Sequence, residues 1–293
     1  MLDVACKPPN ENADKIVNGG LNRLGFQGPN PMLDAFGVDV GNEMAVVPGR
    51  ILNNPGLSYS SNQSPDIDSM RASWNLRGVT FAVGAQLKKW AVLVIQDGGD
   101  DDFGGSQDPL LRRVARDFGI MCNKSGMQVS PLGEQAYAEV RLPPARDRFR
   151  DNAIAEMERV LRKLMAQAEP DLVLVMLSDD DKAIYNGLKQ LCDVKLDVAT
   201  VSMRTPQLKK SIQNNQQQQY YANVALKVNM KMGGINHTLD ANSGTWLKRA
   251  STMVMGMDVT HPTGGGSVDG ARKHVYSCIT DGLIKRALDQ HPW

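Results

Sequence analysis

Three short apolar runs constrain the fold most, because each is followed or separated by a segment with helical periodicity. The runs are WAVLVIQD (90–97), DLVLVML (171–177) and VATVSM (198–203). Continuous aliphatic and β-branched runs of this length are typical of strands that are covered on both faces. Strands that alternate with helices along a chain pair in parallel through crossovers. The sequence therefore predicts an α/β fold with a Rossmann-like parallel sheet flanked by helices.

The helices are predicted from apolar periodicity and from their end signals. One spans Pro109 to Phe118 and ends before Gly119, and a longer one spans Arg148 to Ala168. A third begins at the acidic segment SDDD, and a fourth is centred on residues 222–232. The polar segment QNNQQQQYY (213–221) and the acidic, glycine-rich segment GGDDDFGG are predicted to be surface loops.

The first 80 or so residues are rich in Gly, Pro, Asn and Ser, with only short apolar stretches between turn signals. This composition predicts an extended linker with short strands rather than an independent core. The longest apolar runs reach about a third of a membrane span. No secretory leader or metal-ligand spacing is visible, and the four scattered cysteines are expected to be reduced thiols.

Positive charge is concentrated in one part of a nearly neutral chain. Residues 182–231 carry eight Lys or Arg and two Asp, a local charge of +6 in a protein of net charge +1. Two pairs in this segment, Tyr185 with Lys189 and Lys227 with Lys231, have a spacing of four, which places each pair on one face of a helix. Such a distribution excludes a uniformly basic nucleic-acid-binding surface and predicts one local anion site.

A terminal phosphate needs ammonium groups for charge and directed donors such as a Tyr hydroxyl. Because Tyr185 and Lys189 follow a buried strand, we expect the site at the carboxyl edge of the sheet. The alternative is that the lysines form a solvated helix face, which is what this spacing most often indicates. Asp179, Asp180 and Asp181 also precede the helix, where carboxylates favour capping but repel a nearby phosphate.

Several separated motifs resemble eukaryotic Argonaute proteins, and the fungal members most. IYNGLKQL, VATVSM and NVALKVNMKMGGINHTL resemble the MID domain, while FGVDVGNEM and VPGRIL resemble the linker between PAZ and MID. CKPPNENADKIV resembles the end of PAZ, and MVMGMDVTHP the first strand of PIWI. The resemblance implies that residues 1–82 hold the end of PAZ and the linker, that 83–235 form a MID-like domain, and that 236–293 contain an incomplete start of PIWI with an unmatched tail.

The resemblance also implies the site residues. Tyr185, Lys189, Lys227 and Lys231 match the family residues that bind the 5′-phosphate of a guide RNA, and Thr200 stands near the position of a family Gln. The loop containing Asp180, Asp181 and Lys182 is expected to contact the first base, on which Tyr185 would stack. The implied function is guide binding in RNA silencing by a cytoplasmic monomer, with target RNA as a partner of the full-length protein, no membrane contact and no cofactor for binding.

Two further functions are alternatives to guide binding. Asp258 matches the first catalytic Asp of the PIWI nuclease, a Mg²⁺-dependent endoribonuclease, but the sequence shows none of the other carboxylates that two-metal cleavage needs. We therefore expect a binding module rather than an enzyme. A nucleotide-binding enzyme on the same fold is the other alternative, although no G-x-G-x-x-G or P-loop motif follows the first strand.

Overall fold

The computed structural model describes residues 7–49, 53–71, 73–76, 78–100, 102–145, 149–245 and 253. The chain divides into two compact units, Met1–Asn53 and Asn54–Trp293, which are described separately. In the residues that the structure describes, no helix is both long enough and apolar enough to cross a membrane.

The first unit is helical, which differs from the predicted extended linker. Its helices are α1 (Pro9–Lys15), continued through a π-helical turn (Ile16–Gly20), α2 (Leu21–Arg23) and α3 (Pro31–Phe36). Local signals explain α3: the Asn30 side chain accepts the backbone N–H groups of Met32 and Leu33, and Gly37 ends the helix at φ 62°. None of the residues described in this unit is fully buried, so it has no core of its own.

The second unit contains the sheet. Its described strands are β1 (Leu57–Ser58), β2 (Ile67–Asp68), β3 (Ser73–Trp74), β4 (Gln86–Leu87), β5 (Trp90–Gln96), β6 (Gln128–Val129), β7 (Tyr137–Arg141), β8 (Leu172–Leu177), β9 (Ala199–Arg204) and β10 (Thr238–Leu239). Its described helices are α4 (Pro109–Lys124), α5 (Asp151–Ala168), α6 (Lys182–Gln190), α7 (Thr205–Gln213) and α8 (Gln217–Lys231).

Four of these strands form one parallel sheet in the order β7, β5, β8, β9. Val92 on β5 lies opposite Leu174 on β8, which in turn lies opposite Val201 on β9. Helices cover both faces: α4 and α8 pack on one through Phe118 and Tyr221, and α5 and α6 pack on the other. The predicted Rossmann-like α/β fold is confirmed.

Short ladders connect segments of the unit that lie outside this sheet. β1 pairs with β10 and Val83 bridges to Ile235, both antiparallel. The buried Asn229 side chain at the end of α8 accepts the Ala85 N–H at 2.8 Å and donates to the Val83 carbonyl at 3.2 Å. The C-terminal half of α8 is thereby fixed against the segment that leads into β5.

Two predicted boundaries were wrong, and packing explains both. Helix α4 continues through the buried Gly119 to Lys124, because the last turn packs Cys122 into the core and this outweighs glycine's lower helix propensity. The glutamine-rich segment was predicted to be a loop, but α8 begins at Gln217. Its first turns are helical because Tyr221 is buried against Phe118, with ring centroids 6.0 Å apart.

The acidic, glycine-rich segment is more ordered than a plain surface loop. One carboxylate oxygen of Asp102 accepts the backbone N–H groups of Asp97, Gly98 and Gly99 at 3.0, 3.1 and 3.2 Å. Phe103 is buried in the core. The loop is therefore built around its own carboxylate.

The cysteines that the structure describes agree with the expected reduced state. Cys122 and Cys192 are free and buried, and burial raises the pKa of each thiol to about 12.

Candidate functional site

A cavity of about 540 Å³ runs along the outer side of β9, between α6 and α8. β9 is an edge strand of the sheet formed by the described residues, so the polar groups on its outer side have no neighbouring strand to pair with. The cavity is lined by Leu177, Asp179, Asp180, Lys182, Tyr185, Lys189, Thr200, Val201, Ser202, Arg204, Gln207, Tyr220, Asn223, Val224, Lys227 and Lys231. All five residues predicted to bind phosphate are in this set.

Two lysines from different helices converge on one backbone oxygen. Lys189 of α6 donates to the Thr200 carbonyl at 3.1 Å and to the Thr200 hydroxyl at 2.5 Å. Lys231, at the end of α8, donates to the same carbonyl at 2.8 Å. Thr200 is fully buried and is the second residue of β9. The outward carbonyl of an edge strand thus holds both ammonium groups at one point.

This position corrects the expected location of the lysines. They were placed at the carboxyl edge of the sheet, but Thr200 lies near the start of β9, opposite Val173. Helix α6 starts beyond the end of β8 and runs back along the sheet, so its last turn lies beside the beginning of the next strand. Within the cavity, only the loop after β8 and the end of β9 lie at the carboxyl edge of the sheet.

The two ammonium groups are poorly compensated. The pKa of Lys189 is lowered to about 8, first by burial and then by the positive charge of Lys231, while Asp193 acts in the opposite direction. Two cations this close, with a neutral carbonyl as their shared acceptor, are stabilised by an anion between them. The arrangement is thus suited to bind a compact, doubly charged group.

Tyr185 and Lys227 lie on the walls above this pair. The Tyr185 ring is one turn before Lys189 on α6 and remains 43% exposed, with a pKa that is raised by partial burial and then by Asp193. Lys227 precedes Lys231 by one turn on α8 and also lines the cavity. An exposed aromatic face next to a cationic pair can stack on a planar ring that carries the bound anion.

The acidic loop, Ser178–Asp181, does not present free charge to the cavity. The Asp181 carboxylate caps α6 by accepting the Ala183 and Ile184 N–H groups at 2.8 and 3.4 Å. Arg150 binds the other oxygen of Asp181 at 3.1 Å. Asp180 pairs with Arg204 at 3.3 Å. The predicted repulsion between these carboxylates and an anion is therefore reduced by two arginines.

Sequence reasoning missed the residues at the far end of the cavity. Arg204 ends β9, Gln207 lies in the first turn of α7, and Tyr220 and Asn223 belong to the part of α8 that had been predicted as loop or helix start. The topology could have indicated Arg204, because it follows VATVSM directly at the carboxyl edge. No sequence pattern indicated Gln207, Tyr220 or Asn223. For the last two, the start of α8 had been predicted too late in the chain.

The predicted catalytic residue, Asp258, lies outside the described residues. Among those that are described, no group of three or more His, Cys, Asp or Glu side chains could hold a metal ion.

Two family models match the chain: the Argonaute linker 2 domain over residues 11–59 and the Piwi domain over residues 172–285. Protein argonaute 10 of Arabidopsis thaliana is 28% identical over 270 residues, covering 90% of this chain and 25% of that protein. Protein argonaute 1A of Oryza sativa subsp. japonica is 29% identical over 274 residues, covering 90% and 23%. The chain thus spans about a quarter of the length of the curated relatives that it matches.

Among solved structures, the C-terminal lobe of a budding yeast Argonaute superposes with a TM-score of 0.51 at 20% identity, over 66% of this chain and 38% of that chain. Kluyveromyces polysporus Argonaute with a guide RNA gives 0.50 at 19% identity, over 66% and 23%. These likenesses concern the fold alone, a parallel α/β sheet flanked by helices. The chain thus contains segments that match the Argonaute linker 2 and Piwi domain models, and both curated relatives named above are Argonaute proteins.

Proposed function

We propose that the chain anchors the 5′-monophosphate of a small guide RNA in the cavity beside β9. The observation that carries this proposal is the convergence of Lys189 and Lys231 on the Thr200 carbonyl from two separate helices. A solvated helix face, the alternative reading of the lysine spacing, would point its ammonium groups into water. Here both are drawn to one buried backbone oxygen.

In the proposed complex a phosphate oxygen lies between the two ammonium groups, and Lys227 and the Tyr185 hydroxyl donate from the walls. Hydrogen bonds between charged partners contribute ~1.5–3 kcal/mol each, about twice the value for neutral ones. A 5′-hydroxyl cannot compensate the two cations. The site should therefore distinguish the two RNA ends strongly, rather than bind RNA for its backbone charge alone.

The nucleoside attached to that phosphate would occupy the upper part of the same cavity. Its base would stack on the Tyr185 ring, which is worth ~1–3 kcal/mol for one base. Its edge would then face the acidic loop and Lys182. In this proposal Lys189 and Lys231 determine whether an RNA binds, and the acidic loop determines which first base is preferred.

Guide binding by this segment would serve RNA silencing within a longer protein. The expected partners are a guide RNA and, for the whole protein, a target RNA. A monomer in the cytoplasm remains our expectation, as do the domain limits at residues 82 and 235. The solved structure of Kluyveromyces polysporus Argonaute with a guide RNA supports the proposal by its fold.

Fluorescence anisotropy with two RNAs that differ only in the 5′ group tests the proposal. We expect tighter binding of the 5′-phosphorylated RNA at a fixed salt concentration, since phosphate affinities depend on salt. Equal affinities would refute it. A titration with a dinucleotide in the same assay tests the alternative of a nucleotide-binding enzyme.

A second candidate function is metal-dependent RNA cleavage. The Piwi match extends to residue 285 and so includes Asp258. We expect no cleavage by this chain, because a two-metal site needs several carboxylates. Incubation of the guide-loaded protein with labelled complementary RNA and Mg²⁺ tests this, with an Asp258→Ala variant as the control. Cleavage that depends on both Mg²⁺ and Asp258 would replace the binding-only reading.

A further inference from the structure

Arg150 connects three separate segments at the carboxyl edge of the sheet. It precedes the first turn of α5, has a left-handed backbone at φ 57°, and its side chain is 7% exposed. One guanidinium nitrogen contacts Asp97 after β5, and another donates to Asp181 at 3.1 Å. A buried arginine with two carboxylate partners fixes the relative position of both.

Asp181 connects Arg150 to α6, which forms one wall of the cavity. While one of its oxygens is bound to Arg150, the other caps α6. Its backbone carbonyl accepts the Tyr185 N–H at 3.0 Å, and its own N–H is bound by the Asp179 carboxylate at 2.9 Å. Thus Arg150, the acidic loop and the first turn of α6 form one connected unit.

The lysine pair is held by contacts outside this unit. Both lysines are held by the Thr200 carbonyl on β9. Lys189 lies nearly two turns beyond the start of α6, and Lys231 lies on α8. Arg150 itself does not line the cavity, whereas Asp179 and Asp180 of the loop do. The two ends of the cavity are thus fixed by different contacts.

We propose that Arg150 is a positioning residue for discrimination of the first base. The inference rests on the proposed function, because it concerns the nucleoside attached to the phosphate that the lysines would bind. A base edge is read only if its hydrogen-bonding partners are held in place. Removing the guanidinium frees the loop next to the base and leaves the phosphate contacts in place.

The test measures the affinity of four 5′-phosphorylated RNAs that are identical except for their first base. For Arg150→Gln, the ratio between the tightest and the weakest RNA should fall by about fivefold, the value of one average hydrogen bond. The ratio between 5′-phosphate and 5′-hydroxyl RNA should remain unchanged. Arg159→Gln is the matched control, because Arg159 lies on α5, which Arg150 precedes, and its exposed side chain pairs with Glu156 on the same helix.

Arg150→Gln removes the charged partner of two partly buried carboxylates, and the variant protein could fail to fold. Asp181→Asn serves in that case, because asparagine is also a good N-cap and keeps α6 capped while weakening the contact with Arg150. It should reduce base discrimination in the same way. Unchanged discrimination in either folded variant, or equal binding of all four RNAs by the original protein, would overturn the inference. Loss of the 5′-phosphate preference in the original protein would instead refute the proposed function.

Discussion

Binding of a 5′-phosphate should depend on pH through Lys189. Its pKa is lowered to about 8, first by burial and then by Lys231. Only the protonated amine contributes charge to the phosphate. The phosphate itself is largely dianionic above its second pKa of about 6 and does not titrate further in this range. Cys192, which also faces Lys189, stays neutral because its pKa is raised to about 12.

The size of the effect follows from the protonated fraction of the free protein. At about pH 9, one pH unit above the Lys189 pKa, roughly a tenth of the amine is protonated, so affinity should fall about tenfold from its value near pH 7. This corresponds to about 1.4 kcal/mol. Anisotropy titrations at constant ionic strength between these pH values measure it directly.

Two controls isolate the lysine. The 5′-hydroxyl RNA should show little change over the same range, because it does not use the ammonium pair. A Lys189→Arg variant that still binds should lose the pH step, since a guanidinium stays charged throughout. An affinity for 5′-phosphorylated RNA that is constant from about pH 7 to about pH 9 would refute the reasoning, because the pair would then not be what binds the phosphate.

Three further predictions concern the same region. Lys189→Ala and Lys231→Ala should each weaken binding of 5′-phosphorylated RNA, and the double variant should lose less than the sum, because both act on one phosphate; strictly additive losses that are equal on 5′-hydroxyl RNA would contradict it. Lys210→Ala is the control, since it is exposed, whereas Lys209 packs over Phe103. Because the pKa of Lys189 is lowered in the free protein, the folded state binds fewer protons than the unfolded state between about pH 8 and about pH 10.5. Thermal stability should therefore rise with pH in this range. Lys189→Met should abolish that rise. Asn229→Ala should destabilise the protein by about 3 kcal/mol in chemical denaturation, because it leaves the buried Ala85 N–H without an acceptor and removes the amide that donates to the Asn236 side-chain oxygen; a loss below about 1 kcal/mol would mean that water replaces the amide.

The central strands were predictable because their residues are apolar without interruption. WAVLVIQD and DLVLVML can only be buried on both faces, and β5 and β8 formed where expected. The errors arose where tertiary contacts outweigh local preference. Gly119 and the glutamines before Tyr221 interrupt the helical pattern locally, yet the helices continue because Phe118 packs against Trp90 and Tyr221 packs against Phe118.

The site residues were predictable as types but not in their arrangement. The spacing of the lysines indicates one helix face, and only the fold shows that Lys189 and Lys231 meet. Their meeting point is a backbone carbonyl of an edge strand, which has no sequence signal. Arg150 was missed for a related reason: its partners Asp97 and Asp181 lie 53 and 31 residues away, and a single arginine gives no pattern.

The free protein therefore stores an unfavourable interaction at its site. Burial of Lys189, and then the neighbouring charge of Lys231, disfavours the charged form of Lys189, and that is what the lowered pKa reports. A bound phosphate would remove this cost, so the same free energy that destabilises the free protein would contribute to selective binding. A neutral, apolar residue at 189 would relieve the repulsion and lose the ligand contact together. Stability and phosphate affinity should thus change in opposite directions at this position, in contrast to Asn229, where a substitution lowers stability without touching the cavity.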